Sequence, residues 1–228
     1  MVRHQILPDT GSFGVLVPGS RPSSHRSALV AAMTRVALAK GFYATTVDEI
    51  CELAGVTKGS FYHHFDGKED LGAAALEVYF ADVVQAFGTG PWTAVTDPVL
   101  RLRAFMAHAA DVCTGPVMVY GCLIGTFTLD LAETSPELRV RLSAMFVDLR
   151  DFVAGLIAAA AQHRGRDLDA GQLGDQFLAI LEGSIVLAKA HADPSAPRRG
   201  VALLADHLDL LLAAPGRPPV RPGAGGGR

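Results

Sequence analysis

A chain of 228 residues in which half are hydrophobic and 19% are charged can bury one large core or two small ones, so intrinsic disorder is excluded. The formal net charge of −3 counts against binding nucleic acid through a broad basic surface, although a well-aimed local surface could still hold phosphates. Three cysteines make no disulfide framework, and no zinc-like spacing, nucleophile–base pair or cofactor motif is present. Neither catalysis nor a metal or cofactor is therefore predicted.

The two ends of the chain differ from the segment between them. Residues 1–22 carry Gly, Pro and Ser without periodicity and predict a flexible tail, and the Pro/Gly-rich residues 214–228 predict a disordered one. The start lacks the continuous apolar core of a signal peptide, and the longer apolar stretches are too short to cross a bilayer. We therefore expect a cytoplasmic protein with no membrane partner.

Every periodic segment between the tails predicts a helix, which makes the fold all-α. The predicted helices cover about residues 24–40, 47–54, 58–64, 67–87, 98–113, 121–132, 135–163, 170–191 and 198–213. Their grouping predicts a small N-terminal domain over residues 23–70 and a larger helical domain over residues 71–213.

Residues 45–65 have the local pattern of two short helices joined by a tight turn. Thr46 and Glu49 fit a capping box, in which each side chain satisfies a free N–H group at the start of the first helix. Gly55 permits the left-handed turn that ends this helix, and Thr57 caps the next one. The pattern predicts a helix-turn-helix.

The second of these helices has an outward face that packing does not explain. Lys58 can reach a phosphate or a guanine edge, and Gly59 has no side chain to keep DNA away. The Tyr62 hydroxyl suits a phosphate oxygen, and His63 could contact a base or the backbone. This face predicts insertion into the major groove of double-stranded operator DNA.

The following helix adds a second helix N-terminus to the same surface. Asp66 and Glu69 are predicted to form a capping pair there, and Lys68 is placed to bind a phosphate with the free N–H groups. The predicted DNA-contacting residues are Thr46, Thr57, Lys58, Gly59, Ser60, Tyr62, His63 and Lys68. The alternative is a ligand-binding or interaction protein in which these residues only pack a vestigial DNA-binding domain.

Residues 41–71, GFYATTVDEICELAGVTKGSFYHHFDGKEDL, resemble the DNA-binding domain of the TetR/AcrR family of transcriptional regulators. The resemblance rests on the Gly-aromatic pair, the Thr cap, the Ala-Gly turn and the Lys-Gly-Ser-Phe-Tyr run. It implies an all-helical homodimer of about nine helices whose usual output is repression. It also implies a C-terminal pocket whose small hydrophobic or electrophilic effector releases the DNA.

The C-terminal domain predicts an interface and a pocket less specifically. One apolar face of residues 170–191, which runs from Leu173 to Leu187 and Ala188, and one face of residues 198–213 could close a four-helix dimer interface. Packing within one chain is the alternative. The predicted pocket-lining residues are Phe105, Met106, Phe127 and Phe146, each of which is alternatively a core residue.

Cys122 falls in the first turn of a predicted helix, where the helix dipole is expected to lower the pKa of the thiol. The segments YGCLIG around it and EGSIVLAK, ending at Lys189, resemble a TetR/AcrR branch that includes the repressors of N-ethylmaleimide reductase and of acrylate metabolism. In the former, a cysteine in this motif responds to electrophiles and reactive chlorine, with a lysine as its partner. The resemblance implies that Cys122 is the sensor and Lys189 its partner; the alternative is a buried cysteine and a solvent-directed lysine. Cys113 could be a resolving thiol or a core residue.

Overall fold

The computed structural model describes residues 24–213 except 116, 117 and 119. All regular structure within that part of the chain is helical, which confirms the all-α prediction. The helices are α1 (His25–Lys40), α2 (Val47–Ala54), α3 (Lys58–His64), α4 (Lys68–Gly88), α5 (Pro98–Val112), α6 (Leu123–Leu131), α7 (Pro136–His163), α8 (Ala170–His191) and α9 (Ala196–Ala213), with a 3₁₀ turn at Pro91–Ala94. The predicted tails, residues 1–22 and 214–228, lie outside the described residues.

Helices α1 to α3 form a bundle whose helix ends are fixed by local hydrogen bonds. The Thr46 hydroxyl accepts from the Glu49 N–H, and the Glu49 carboxylate accepts from the Thr46 N–H, as the predicted capping box requires. Gly55, with φ 67°, ends α2 in the left-handed conformation, and Thr57 caps α3. Each such cap contributes about 1 kcal/mol to helix stability. The buried residues of this bundle include Leu29, Met33, Ile50, Phe61 and Phe65.

Helix α4 leaves the bundle without the capping pair predicted for it. Its N-cap is Gly67, which makes no side-chain cap hydrogen bond, and the Asp70 carboxylate accepts from the Asp66 N–H. The prediction of an Asp66–Glu69 pair was wrong because the N-cap lies one residue later than the spacing suggested. Among the described helices, α4 is the one long and apolar enough to span a membrane, but its buried face packs against α1, α5, α6 and α7 as a core helix.

The larger domain has a core in which aromatic rings meet largely edge to face. Trp92, from the 3₁₀ turn, lies with its ring centroid 5.3 Å from Phe105 and 5.9 Å from Phe152. Phe105 also contacts Phe87 and Phe177 at 6.3 and 6.2 Å. Such pairs contribute about 0.5–1.5 kcal/mol each beyond their buried area. Helices α5, α7, α8 and α9 pack together around these rings.

The C-terminal end of α6 is hydrogen-bonded to the loop between α1 and α2. The Asp130 carboxylate accepts from the Phe42 N–H at 2.6 Å, and the Tyr43 hydroxyl bonds to the Thr134 hydroxyl just beyond α6. The Phe42 ring also lies edge-on to Phe127, with centroids 5.2 Å apart. A displacement of α6 would therefore be transmitted through these hydrogen bonds to the loop that precedes the helix-turn-helix.

Most residues of the α8 and α9 stripes that were predicted to form a dimer interface point inward, whereas Leu187, near the end of the α8 stripe, is exposed. On α8, Leu173, Phe177 and Leu181 are buried within the single chain. The matching buried residues of α9 are Val201, Leu204, Leu208 and Leu212. Packing within one chain is therefore the correct alternative for these residues, and a dimer would have to use another face.

Candidate functional site

The exposed side of α3 carries side chains that the bundle leaves largely unused. Tyr62 is 60% exposed, and its hydroxyl has no hydrogen bond within the part of the chain that the structure describes. His63 is exposed beside His64, with ring centroids 5.0 Å apart. A Cβ built on Gly59 would meet only the Thr57 hydroxyl, at an ordinary 3.8 Å. Internal packing therefore does not require glycine at position 59, whereas a closely approaching partner would.

Lys58, on the same side of α3, is held by an exposed carboxylate. Its Nζ lies 2.6 Å from Asp48 Oδ1, and both side chains are about two-thirds exposed. The hydrogen bond with Asp48 and its negative charge raise the pKa of Lys58. Because exposed ion pairs contribute at most about 1 kcal/mol, a phosphate can compete for this ammonium group.

Replacing Asp48 by asparagine is expected to tighten binding of operator DNA about two- to fivefold. The reason is that Lys58 then reaches a phosphate without first leaving a carboxylate, which saves about 0.3–0.5 kcal/mol in each subunit and so about 0.5–1 kcal/mol in a dimer. Fluorescence anisotropy at fixed salt measures the affinity. Glu52→Gln is the matched control, because it removes an exposed charge from α2 that makes no ion pair among the described residues. Equal tightening by both variants would contradict a specific role for the Lys58–Asp48 pair.

Three predicted contact residues use their hydroxyls inside the bundle. Thr46 Oγ1 donates to the Glu49 carboxylate at 2.8 Å, and Thr57 Oγ1 accepts from the Ser60 N–H. The Ser60 hydroxyl is bonded to the His25 ring at 2.9 Å. A hydrogen bond from Lys40, followed by those from Thr46, lowers the pKa of Glu49 to about 2. These hydroxyls hold the helices in place, so DNA contact through them would compete with that role.

Lys68 does not present its ammonium group to the surface as predicted. Its Nζ donates to the carbonyls of Phe42 and Thr45, each at 3.1 Å, and lies 4.4 Å from the centroid of the Phe42 ring. The prediction was wrong because the loop after α1 leaves carbonyl groups without helical partners, and Lys68 is the donor that reaches them.

Lys68→Met is expected to lower the free energy of unfolding by about 2 kcal/mol, because two carbonyls lose a charged donor. It is expected to leave the salt dependence of DNA binding unchanged. Denaturant unfolding measures the first quantity, and the slope of log affinity against log salt measures the second. Loss of a phosphate contact would instead reduce that slope by about one per binding site.

Cys122 is the N-cap of α6 rather than a residue of its first turn. Its Sγ accepts from the Gly125 N–H at 3.5 Å, and the residue is 5% exposed. Burial, followed by the negative charge of Glu182, raises the pKa of the thiol well above its ordinary value. The predicted lowering of this pKa was wrong, because desolvation and a like charge outweigh the N–H donors of the helix.

Glu182, on α8, is the candidate residue that the sequence analysis missed. It is partly buried, and its carboxylate lies near enough to the Cys122 thiol that the two groups shift each other's pKa. It lies so close to Gly125 that a Cβ there would collide with the carboxylate. A signal was available, since Glu182 and Lys189 are seven residues apart and so share a face of α8.

Lys189 connects this region to the helix-turn-helix. Its Nζ donates to the carbonyl of Leu38, near the end of α1, at 3.3 Å. The same Nζ lies 2.8 Å from the position that a Cβ on Gly121 would take, and Gly121 has a φ of 122° that suits glycine. The structure thus brings Lys189 against the residue that precedes Cys122.

Two further buried groups adjoin Cys122 and Glu182. The Tyr79 hydroxyl donates to the carbonyl of Gly121 at 3.1 Å and lies beside the Cys122 thiol. Burial and then Glu182 raise the pKa of the Cys113 thiol to about 12. We refer to Tyr79, Cys113, Cys122, Glu182 and Lys189 together as the thiol cluster.

The four residues predicted to line a pocket do not meet in one. Phe105, Met106 and Phe127 are core residues with at most 2% exposure. Phe146 lines a separate open groove of about 300 Å³ between α6, α7 and α8. The prediction was wrong because sequence periodicity identifies a buried face without indicating whether it lines a cavity.

A capped helix-turn-helix with an exposed second helix, joined to a larger helical domain, defines a DNA-binding regulator. Residues 29–75 match the family model of bacterial regulatory proteins of the tetR family, and residues 98–204 match that of the tetracyclin repressor-like C-terminal domain. The chain belongs to the TetR family of transcriptional regulators, which bind operator DNA and act as dimers. The prediction of a TetR-type fold and function is confirmed.

Relatives and a solved structure agree with this assignment. The HTH-type transcriptional repressor DhaR of Mycobacterium sp. (strain GP1) is 33% identical over 168 residues, covering 72% of this chain and 82% of that protein. The HTH-type transcriptional repressor NemR of Escherichia coli (strain K12) is 28% identical over 142 residues, covering 62% and 69%. A crystal structure of regulatory protein TetR from Rhodobacter sphaeroides superposes with a TM-score of 0.68 at 28% identity, covering 80% and 98%.

Proposed function

We propose that this protein is a homodimeric repressor that binds operator DNA with the exposed side of α3. It would release the DNA when a small electrophile modifies the thiol cluster. The observation that carries the proposal is the set of side chains on α3 that internal packing does not use. Residues 23–70 would hold DNA, and residues 71–213 would sense the effector and dimerise. The protein would act in the cytoplasm.

The proposed DNA contact is local rather than a broad basic surface. Lys58 would leave Asp48 for a phosphate or a guanine edge, and the Tyr62 hydroxyl would donate to a phosphate oxygen. The bare backbone at Gly59 would let α3 enter the groove deeply, and His63 would contact a base or the backbone. Because so few charges take part, specificity would depend on two copies of α3 being held at the correct spacing.

The proposed dimer interface is the outward face of α8 and α9. Leu187 on α8 is 51% exposed, and Leu203 and Leu210 on α9 are each 70% exposed. Gly183 lies on the same exposed side of α8 and would allow close approach of a partner helix. Two such faces would form a four-helix interface and cover apolar surface that a monomer leaves in water.

The proposed effector acts through Cys122. Covalent addition at a thiol that is 5% exposed must displace its neighbours, and those include Glu182 and the start of α6. Both α6 and Lys189 are hydrogen-bonded to the α1 end of the helix-turn-helix. A hundredfold change in DNA affinity needs only about 2.7 kcal/mol of coupling, which a few such contacts can supply.

Selection of operator sites from random double-stranded DNA, followed by an N-ethylmaleimide challenge, tests this function. We expect one two-fold symmetric site, binding that falls steeply with salt, and release of DNA after alkylation. Binding without sequence preference at any salt would support the vestigial alternative. If alkylated protein binds the selected site as tightly as untreated protein does, the protein is still a DNA-binding regulator, but the proposed response to electrophiles is wrong.

A further inference from the structure

The Cys122 thiol lies beside the carboxylate of Glu182 at the start of α6. The thiol is 5% exposed and Glu182 is partly buried, and Gly125, whose N–H bonds to the Cys122 sulfur, lies against the Glu182 carboxylate. The chain makes room for this contact, since Gly125 has no Cβ where the carboxylate lies. A buried carboxylate is costly to keep, and a thiol alone does not compensate for the lost hydration.

Other elements supply part of that compensation. Helix α6 directs its N-terminus, with free N–H groups and the positive end of its dipole, toward the region that Glu182 occupies. Burial raises the pKa of Glu182, and the Cys122 thiol and the charge of Lys189, two turns along α8, offset only part of that rise. The arrangement keeps an acceptor for one proton next to the sulfur atom that caps α6.

We propose that Glu182 is the proton acceptor that allows buried Cys122 to react with α,β-unsaturated carbonyl compounds. The Sγ of Cys122 forms a bond to the β-carbon, and the electron pair of the C=C bond moves onto the carbonyl oxygen as an enolate. The S–H proton passes to the Glu182 carboxylate in the same step. It then returns to the α-carbon, directly or through water, which restores the carboxylate and leaves a thioether.

This role explains why a thiol with a raised pKa can be a sensor at all. At neutral pH the thiolate fraction of such a cysteine is very small, so reaction through free thiolate would be slow. A base in contact with the S–H removes the need for a separate ionisation step. Neutral, soft electrophiles would be favoured, because an anionic reagent would be repelled by Glu182.

The groups that face this pair come from three helices or their ends. Tyr79 on α4 and Cys113 after α5 are neutral at physiological pH, since burial raises the pKa of both. Lys189 on α8 is the cation of the cluster. Tyr79 and Cys113 therefore do not change charge between about pH 6 and 8. The rate of Cys122 alkylation is expected to depend on the Glu182 base and on the thiolate fraction of Cys122.

The inference rests on the proposed function, and the rate of Cys122 alkylation by N-ethylmaleimide tests it. The rate is followed by mass spectrometry of the Cys122 peptide in full-length protein from pH 6 to 8. Native protein is expected to show a shallow pH dependence. Glu182→Gln keeps the size of the side chain and should react at least tenfold more slowly at pH 7, with a rate that rises nearly tenfold per pH unit.

The pH profile separates proton transfer from a change in packing. A variant that merely opens more or less often would shift the rate equally at every pH, without the steeper slope. Gly125→Ala retains the acid but displaces its carboxylate, so Cys122 in this variant should also be alkylated more slowly. It provides the test if Glu182→Gln does not fold. Circular dichroism and operator affinity before alkylation show whether each variant is folded.

An alkylation rate of Glu182→Gln that equals or exceeds that of native protein would overturn the inference. If Glu182 acts only as a nearby negative charge, its removal lowers the pKa of the thiol, and Glu182→Gln reacts as fast as native protein or faster. Native protein that is not alkylated at Cys122 would overturn both this inference and the electrophile response. If native protein is alkylated at Cys122 but still binds operator DNA, the proposed electrophile response is wrong and the inference about Glu182 is unaffected.

Discussion

Replacing Tyr62 by alanine is expected to weaken operator binding about thirtyfold while leaving the melting temperature unchanged. Loss of one phosphate contact costs about 1 kcal/mol, and a dimer loses it twice, which gives about 2 kcal/mol. Stability should not change, because the side chain is 60% exposed and its hydroxyl has no partner in the described structure. Anisotropy with the selected operator and a thermal melt measure the two quantities.

Two companion variants sharpen this experiment. Tyr62→Phe removes only the hydroxyl and should account for most of the loss if that group binds a phosphate. Leu100→Ala, on α5, truncates a side chain that is 53% exposed and lies outside the helix-turn-helix, so it should bind DNA normally. Normal operator affinity of folded Tyr62→Ala would contradict the assignment of α3 as the recognition helix.

Replacing Cys122 by serine is expected to abolish the release of DNA by N-ethylmaleimide. Native protein should lose operator affinity at least tenfold on alkylation, because the adduct cannot fit at a site with 5% exposure without moving α6. Serine is a favourable N-cap residue, so Cys122→Ser should keep the start of α6 and bind untreated operator normally. Gel shifts before and after treatment measure both.

The other two thiols provide the controls. Cys113→Ser and Cys51→Ser each remove a buried cysteine, and both proteins should still release DNA on treatment. A Cys122→Ser protein that responds as native protein does would show that the electrophile acts elsewhere. Loss of response only in Cys113→Ser would transfer the sensing role to that residue.

Features set by neighbouring residues could be predicted from the sequence. The bounds of α2 and α3, the capping box of Thr46 and the left-handed turn at Gly55 all depend on hydrogen bonds that span a few residues. Hydrophobic periodicity likewise gave the correct number and type of helices over the described chain. Local spacing did not predict the start of α4 correctly. The N-cap is Gly67, one residue later than expected, so the predicted Asp66–Glu69 capping pair does not form.

Features set by distant residues could not be predicted. Lys68 points inward because of two carbonyls more than twenty residues earlier, and the pKa of Cys122 is raised by burial and by a carboxylate sixty residues later. The apolar stripe that includes Leu173 was correctly identified as hydrophobic but assigned to the wrong neighbour. Periodicity shows that a face is buried, and only the tertiary structure shows what covers it.

The two glycines beside Cys122 carry a consequence for how related sequences should vary. Gly125 leaves space for the Glu182 carboxylate, and Gly121 leaves space for the Lys189 ammonium group. A relative that has lost the acid can accept alanine at position 125, whereas one that keeps it cannot without moving α8. Positions 125 and 182 should therefore co-vary, and so should 121 and 189. Sorting natural sequences by these pairs should distinguish regulators that have kept the buried acid from those that sense by other means.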